Sequence, residues 1–213
     1  GVQSFDDAIL KWMNRRHDSA TARKAYSILE EAGVSNISID LIFGLSQLSD
    51  AQWKDTLSRA LDISSRGVLP QHISSYQLSV EPGSALARMV EKGLWSEASE
   101  DLCIRQYDAL CETFAAAGYN HYEISNFALK EGNASLQRSV HNSSYWIKEP
   151  YLGLGPAAHS YNGTERFWNT SSVVKYCKHY IDKDNTIKVS EIEQLTPKDI
   201  FNESIMLGLR TLE

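Results

Sequence analysis

Cysteine is scarce in this sequence. Only Cys103, Cys111 and Cys177 occur among 213 residues. None stands in a C-x-x-C or similar spacing, so neither a disulfide framework nor a compact thiolate site is expected. Long apolar runs are also lacking, and no stretch approaches the roughly 20 residues a membrane span requires. The opening Gly1-Val2-Gln3-Ser4-Phe5 has neither the basic nor the apolar region of a signal peptide. Positive charge does not predominate. Lys plus Arg is 21 against 27 for Asp plus Glu, which argues against nucleic acid as a partner. P-loop, G-x-G-x-x-G and G-x-S-x-G patterns are missing, and no two of the six histidines stand at i, i+4. Kinase, dehydrogenase, hydrolase and helical zinc-site readings therefore lose their usual support. Asn-x-Ser/Thr occurs at Asn36, Asn133, Asn142, Asn162, Asn169 and Asn202. Without a secretion signal these are read as chance. A cytoplasmic protein is expected, or one peripheral at a membrane.

The residues that are present alternate between strand and helix patterns, an α/β order with parallel strands. Period two in residues 36–44 places Ile37, Ile39, Leu41 and Phe43 on one face and Asp40 on the other. Residues 71–80 predict a second strand, with Tyr76, Leu78 and Val80 on its apolar side and Ser75, Gln77 and Ser79 opposite. Residues 1–5 read as the tail of a strand, and residues 120–125 as a further one. A helix opens at Asp18 or Ser19 with the stripe Ala22, Ala25, Leu29 and Ala32. A second follows the capping box Ser49–Gln52 and buries Trp53, Leu57 and Ala60. A third opens at Ser99 and carries Tyr107, Leu110, Cys111 and Phe114. After Pro150 come a Gly-rich stretch (151–163), a strand-like 165–168, and helical segments near 172–183 and 196–212.

One face of each strand is polar, whereas a parallel sheet is ordinarily apolar on both. If the apolar faces meet helices, the polar faces line an interior open to a polar ligand. The bland alternative is an exposed sheet face. Two constellations could carry chemistry. In His141-Asn142-Ser143-Ser144-Tyr145-Trp146 a histidine in a polar loop precedes two large aromatics, a set able to ligate a metal or haem iron while the aromatics cover the ring. By itself the hexapeptide is better read as a surface histidine beside a core tryptophan. Gln3, Arg15 and Asp40 could grip a zwitterionic, ribose-bearing ligand, Arg by a fork and Asp by accepting from hydroxyls. They could also be structural ion pairs.

Six pieces stand in order: 1–5, Asn14-Arg15 with His17, 36–45, 122–128, 141–146 and 151–160. Together they resemble the HemW branch of the oxygen-independent coproporphyrinogen III oxidase family, radical S-adenosylmethionine (SAM) proteins. The resemblance implies the C-terminal part of a (βα)6 partial TIM-like barrel over residues 1–168. The start of a small, mostly helical C-terminal domain would follow over 169–213. It implies SAM and a [4Fe–4S] cluster in the parent protein, with SAM contacts at Gln3, Arg15 and Asp40, and at Ser79 and His159, where the residue types differ. It implies haem as cargo, held by His141 as iron ligand with Asn142, Tyr145 and Trp146, and passed to a target haemoprotein of unknown identity. The alternative within the family is the oxidase itself, which decarboxylates coproporphyrinogen III. The C-x-x-x-C-x-x-C cluster motif is absent from these residues, so no radical chemistry is expected of them alone. Residues 44–48 also depart from the family's Gly-Leu-Pro-Gly-Gln. A fragment of a longer chain is expected, and its free sheet edges point to a homodimer or aggregation.

Overall fold

The computed structural model describes residues 1–130, 137–186 and 190–211. Asn133 and Leu212, each named above, lie outside them. The chain divides into two compact units, Gly1–Arg138 and Ser139–Glu213.

The first unit is a helix-covered sheet. Strands β1 (Ser38–Phe43) and β2 (His72–Gln77) pair in parallel, and Gln3 adds a single parallel bridge to Leu41 on the other side of β1. Beyond β2 the direction reverses. Strand β4 (Asn126–Leu129) is antiparallel to β2 and forms a hairpin with β3 (Tyr119–Glu123), giving the order β1-β2-β4-β3. Only Ile124 and Ser125 separate β3 from β4, far too few for the crossover a parallel pair needs. The sheet is mixed and open at both ends, so the barrel anticipated from the sequence is not closed within these residues.

The helices follow their caps. In α1 (Asp7–Trp12) Asp6 accepts from the Ala8 and Ile9 amides. Asp18 caps α2 (Ser19–Glu31), Ser49 and Gln52 form the expected capping box of α3 (Asp50–Leu61), and Ser99 caps α5 (Glu100–Ala116). A short helix, α4 (Ala85–Glu91), was not anticipated. One core joins Phe5 and Ile9, Tyr26 of α2, Ile39, Leu41 and Phe43 of β1, Trp53 and Leu57 of α3, and Leu110 and Phe114 of α5.

Two sequence expectations are corrected here. Helix α2 buries Ala22, Tyr26 and Glu30, while Ala25, Leu29 and Ala32 are exposed. Glu30 turns inward because the Ser64 hydroxyl donates to its carboxylate. Ala25 and Leu29 instead line an open apolar cleft of about 270 Å³ with Val2, Ile37 and Ile39. The faces of β2 are also reversed. Leu41 is in register with Ser75 and Phe43 with Gln77, so Ser75 and Gln77 share the helix-facing side. The opposite face carries Ser38, Asp40, His72, Ser74 and Tyr76. The apolar alternation that misled extends to Leu78 and Val80, which lie beyond the end of the strand.

In the second unit, β5 (His159–Tyr161), β6 (Glu165–Asn169) and β7 (Ser190–Gln194) form an antiparallel sheet in that order. Helices α6 (Val140–Trp146), α7 (Val173–Tyr180) and α8 (Pro197–Gly208) accompany it. The Gly-rich stretch has a steric reason: a Cβ on Gly153 would stand 2.8 Å from the His159 carbonyl carbon.

Candidate functional site

The polar face of the first unit gathers ionisable groups at the parallel strands. Asp40 projects from β1 opposite the buried Leu41. Gln3 bridges Leu41 through Gln3 N–H to Asp40 C=O (2.7 Å) and Ile42 N–H to Gln3 C=O (2.9 Å). Its backbone is left-handed, with φ +69°. A non-glycine residue there costs on the order of 1 kcal/mol, which the two ladder bonds hold in place. The Gln3 amide and the Asp40 carboxylate converge on one spot beside Gly1, where a Cβ would stand 2.8 Å from Asp40 Oδ2 and clash with Gln3 Nε2. Among the described residues neither side chain makes a hydrogen bond. An acceptor and an amide, side by side and not bonded to any described residue, fit hydroxyl and amine groups of a small polar ligand, so these two residues are compatible with SAM.

Arg15 is delivered by the end of α1. Asn14 is left-handed (φ +56°), its N–H donates to Lys11 C=O, and Arg15 N–H donates to Leu10 C=O. This is a Schellman ending with Asn in the position glycine usually takes. His17 Nε2 then hydrogen-bonds the Val2 carbonyl at 3.1 Å, fastening the loop that carries Arg15 to the strand that carries Gln3. The Arg15 side chain is exposed. Ser79 lies past the end of β2, exposed, and donates to Glu81 at 3.0 Å. His159 belongs to the second unit, where its ring stacks on Trp168 (centroids 5.6 Å, 23°).

Beside Asp40 the structure adds a group the sequence reading passed over. His72 is 3% exposed, with Nδ1 2.7 Å from the Ser38 hydroxyl and Nε2 2.8 Å from the Tyr122 hydroxyl. Burial pushes its pKa down to about 4, against the opposing pull of Asp40. Both ring nitrogens are occupied by hydroxyls, which serve as donor or acceptor, so the neutral ring is satisfied in either tautomer. The usable signal was the alternation His72, Ser74 around Ile73. Tyr122 could not be found that way, because its approach depends on the register shift between His121 and Glu123.

The second constellation is a helix, not the loop expected. Ser139 caps α6 by accepting from the Asn142 amide, and Asn142 is half-buried. His141 and Tyr145 share a face one turn apart, their rings edge-to-face at 4.9 Å, and Tyr145 meets Tyr151 in the same way. His141 is exposed and makes no hydrogen bond among the described residues, so its nitrogens are free to ligate. Trp146 is partly buried beneath the Arg210 guanidinium, 4.5 Å from its ring centroid.

The cysteines do not fit an iron–sulfur cluster. Cys103 and Cys111 sit about 12 Å apart along α5, and Cys177 belongs to the second unit. Burial raises the pKa of both α5 thiols, which disfavours the ligating thiolate. Among the described residues no three His, Cys, Asp or Glu side chains could hold a metal ion, and no helix is long and apolar enough to cross a membrane.

No protein-family model matches the chain. The haem chaperone HemW of Bacillus subtilis (strain 168) is 32% identical over 212 residues, 99% of this chain and 52% of that protein. HemW of Lactococcus lactis is 33% identical over 210 residues, again 99% and 52%. Among solved structures, the coproporphyrinogen III oxidase HemN of Escherichia coli, a radical SAM enzyme, superposes with a TM-score of 0.72. That match covers 98% of this chain and 48% of that one at 16% identity, so it speaks for the fold alone. The chain spans about half the length of the curated relatives it matches.

Proposed function

We propose, from homology to the HemW haem chaperones over the whole length of the chain, that this protein binds haem on α6 and hands it to a target haemoprotein. The single observation that carries the reading is the state of His141. An exposed imidazole with neither nitrogen engaged by a described residue, backed edge-on by Tyr145, is an available ligand for haem iron. Its exposure suits a cargo that must leave again: a ligand on a seven-residue surface helix releases more readily than one in a closed pocket.

The SAM-binding part of the reading rests on Gln3 and Asp40, with Arg15 on the loop pinned beside them. SAM and a [4Fe–4S] cluster belong to the parent protein in this proposal. The residues described supply the polar wall for SAM and no ligands for the cluster. The chain's own contribution is orientation: Asp40 accepts from hydroxyl or amine groups, and Gln3 is locked beside it by the β1 ladder. The oxidase alternative draws on the fold likeness, which does not distinguish the two activities.

Titration of the protein with ferric haem tests the chaperone reading. His141→Ala is expected to shift the Soret band and weaken binding at least tenfold. An unchanged spectrum and affinity overturns the assignment of His141.

A further inference from the structure

Around Trp146 the second unit holds donors that no described residue accepts from. The Trp146 indole Nε1 and the Arg210 Nε are both fully enclosed and without a hydrogen-bond partner. The Arg210 guanidinium lies over the indole, Cζ 4.5 Å from the ring centroid, and makes no ion pair among the described residues. A buried N–H left unmatched costs about 1–3 kcal/mol, so two adjacent ones mark a place made for an acceptor. The ion pairing agrees. Arg166 already holds Glu203 through two bonds of 2.9 and 3.0 Å and reaches Glu193 at 3.6 Å. Lys148 Nζ is spent on the Ile200 carbonyl and the Ser204 hydroxyl and makes no ion pair among the described residues. Glu149 is exposed and paired with neither cation. Three cations and three carboxylates thus balance at the corner where α6 ends and the chain leaves α8, but Arg210 is left without a carboxylate partner among the described residues.

The indole also forms part of the wall of a cavity of about 230 Å³, shared with Tyr145, Tyr151, Tyr161 and the Arg166–Glu203 pair, and Arg210 reaches the indole from outside this lining. That volume is below what a whole drug-sized ligand occupies. It admits a substituent arm, not a macrocycle.

We propose that Arg210 and Trp146 form a receptor for a carboxylate, and, resting on the haem reading above, that this carboxylate is a propionate of the porphyrin. The guanidinium fork takes the two carboxylate oxygens and the indole N–H adds a third bond. The macrocycle stays outside, at the exposed face of α6.

The test compares ferric haem with its dimethyl ester, whose propionates are capped. Wild-type protein is expected to bind haem at least about tenfold more tightly than the ester, the size of one charge-assisted hydrogen bond. Arg210→Gln removes that preference by weakening haem alone. Trp146→Phe, which keeps a ring and loses the N–H, reduces the preference severalfold. Thermal melts verify that each variant is folded, and the ester affinity of each variant supplies a second control. Equal affinity of the wild type for haem and ester overturns the carboxylate receptor and leaves the haem reading standing. So does an equal loss of both ligands in Arg210→Gln. Failure of the wild type to bind either porphyrin overturns the haem reading and the receptor together.

Discussion

Acidification should destabilise the first unit through His72. In the native state its pKa is about 4, against 6.5 for a free imidazole. Between these values the unfolded chain holds a proton on this ring and the folded chain does not. Stability therefore rises with pH across the window, and is lost as pH falls from about 6.5 to about 4. The shift spans about 2.5 units at roughly 1.4 kcal/mol each, so moving from pH 7 to pH 4 costs about 3 kcal/mol. At 3% exposure the ring has little solvent to screen it. Carboxylates titrate near the lower end of this range, so the contribution of His72 is the difference between the wild type and His72→Asn. Amide hydrogen exchange at Ile39 and Ile73, which flank the ring in sequence and register, reports this unit by itself. The expected result is a wild-type slope between pH 6.5 and 4 that His72→Asn lacks. Proton NMR of the ring gives an independent reading. Identical pH profiles for the two proteins, or a ring that titrates at 6 or above, would refute the reasoning.

Other perturbations probe other links. Gln106 is fully buried; its Oε1 accepts from the Gly44 amide (2.9 Å) and its Nε2 donates to the Leu48 carbonyl (2.7 Å). Gln106→Leu should cost about 2–4 kcal/mol in denaturant unfolding, by orphaning both backbone groups; a loss under 1 kcal/mol would mean that water replaces the amide. Gly44→Ala should destabilise by about 1 kcal/mol or more, because φ is +77° and the new Cβ meets Gln77 Cγ at 3.0 Å; unchanged stability would show that the loop relaxes. On the function proposed, Asp40→Asn in the cluster-reconstituted parent protein should weaken SAM binding about tenfold by calorimetry. Unaltered affinity would remove Asp40 from the site.

Local rules were legible in the sequence wherever one residue's chemistry decides the outcome. Asp18, Ser49, Ser99 and Thr196 cap helices because a short polar side chain satisfies an amide only two or three residues away. The inward face of β1 followed from period two alone. Features that depend on distant partners were not legible. Helix α2 turns Glu30 inward because Ser64, 34 residues away, gives it a hydrogen bond. The faces of β2 are set by its register with β1, which a one-residue slip would invert. His72 became a buried neutral base only when Ser38 and Tyr122, from two other strands, closed on its ring. Arg210 and Trp146 stand 64 residues apart, and no spacing rule connects them. Short-range hydrogen bonding and side-chain periodicity are written along the chain. The environment of a buried polar group is decided by whichever segments the fold brings against it.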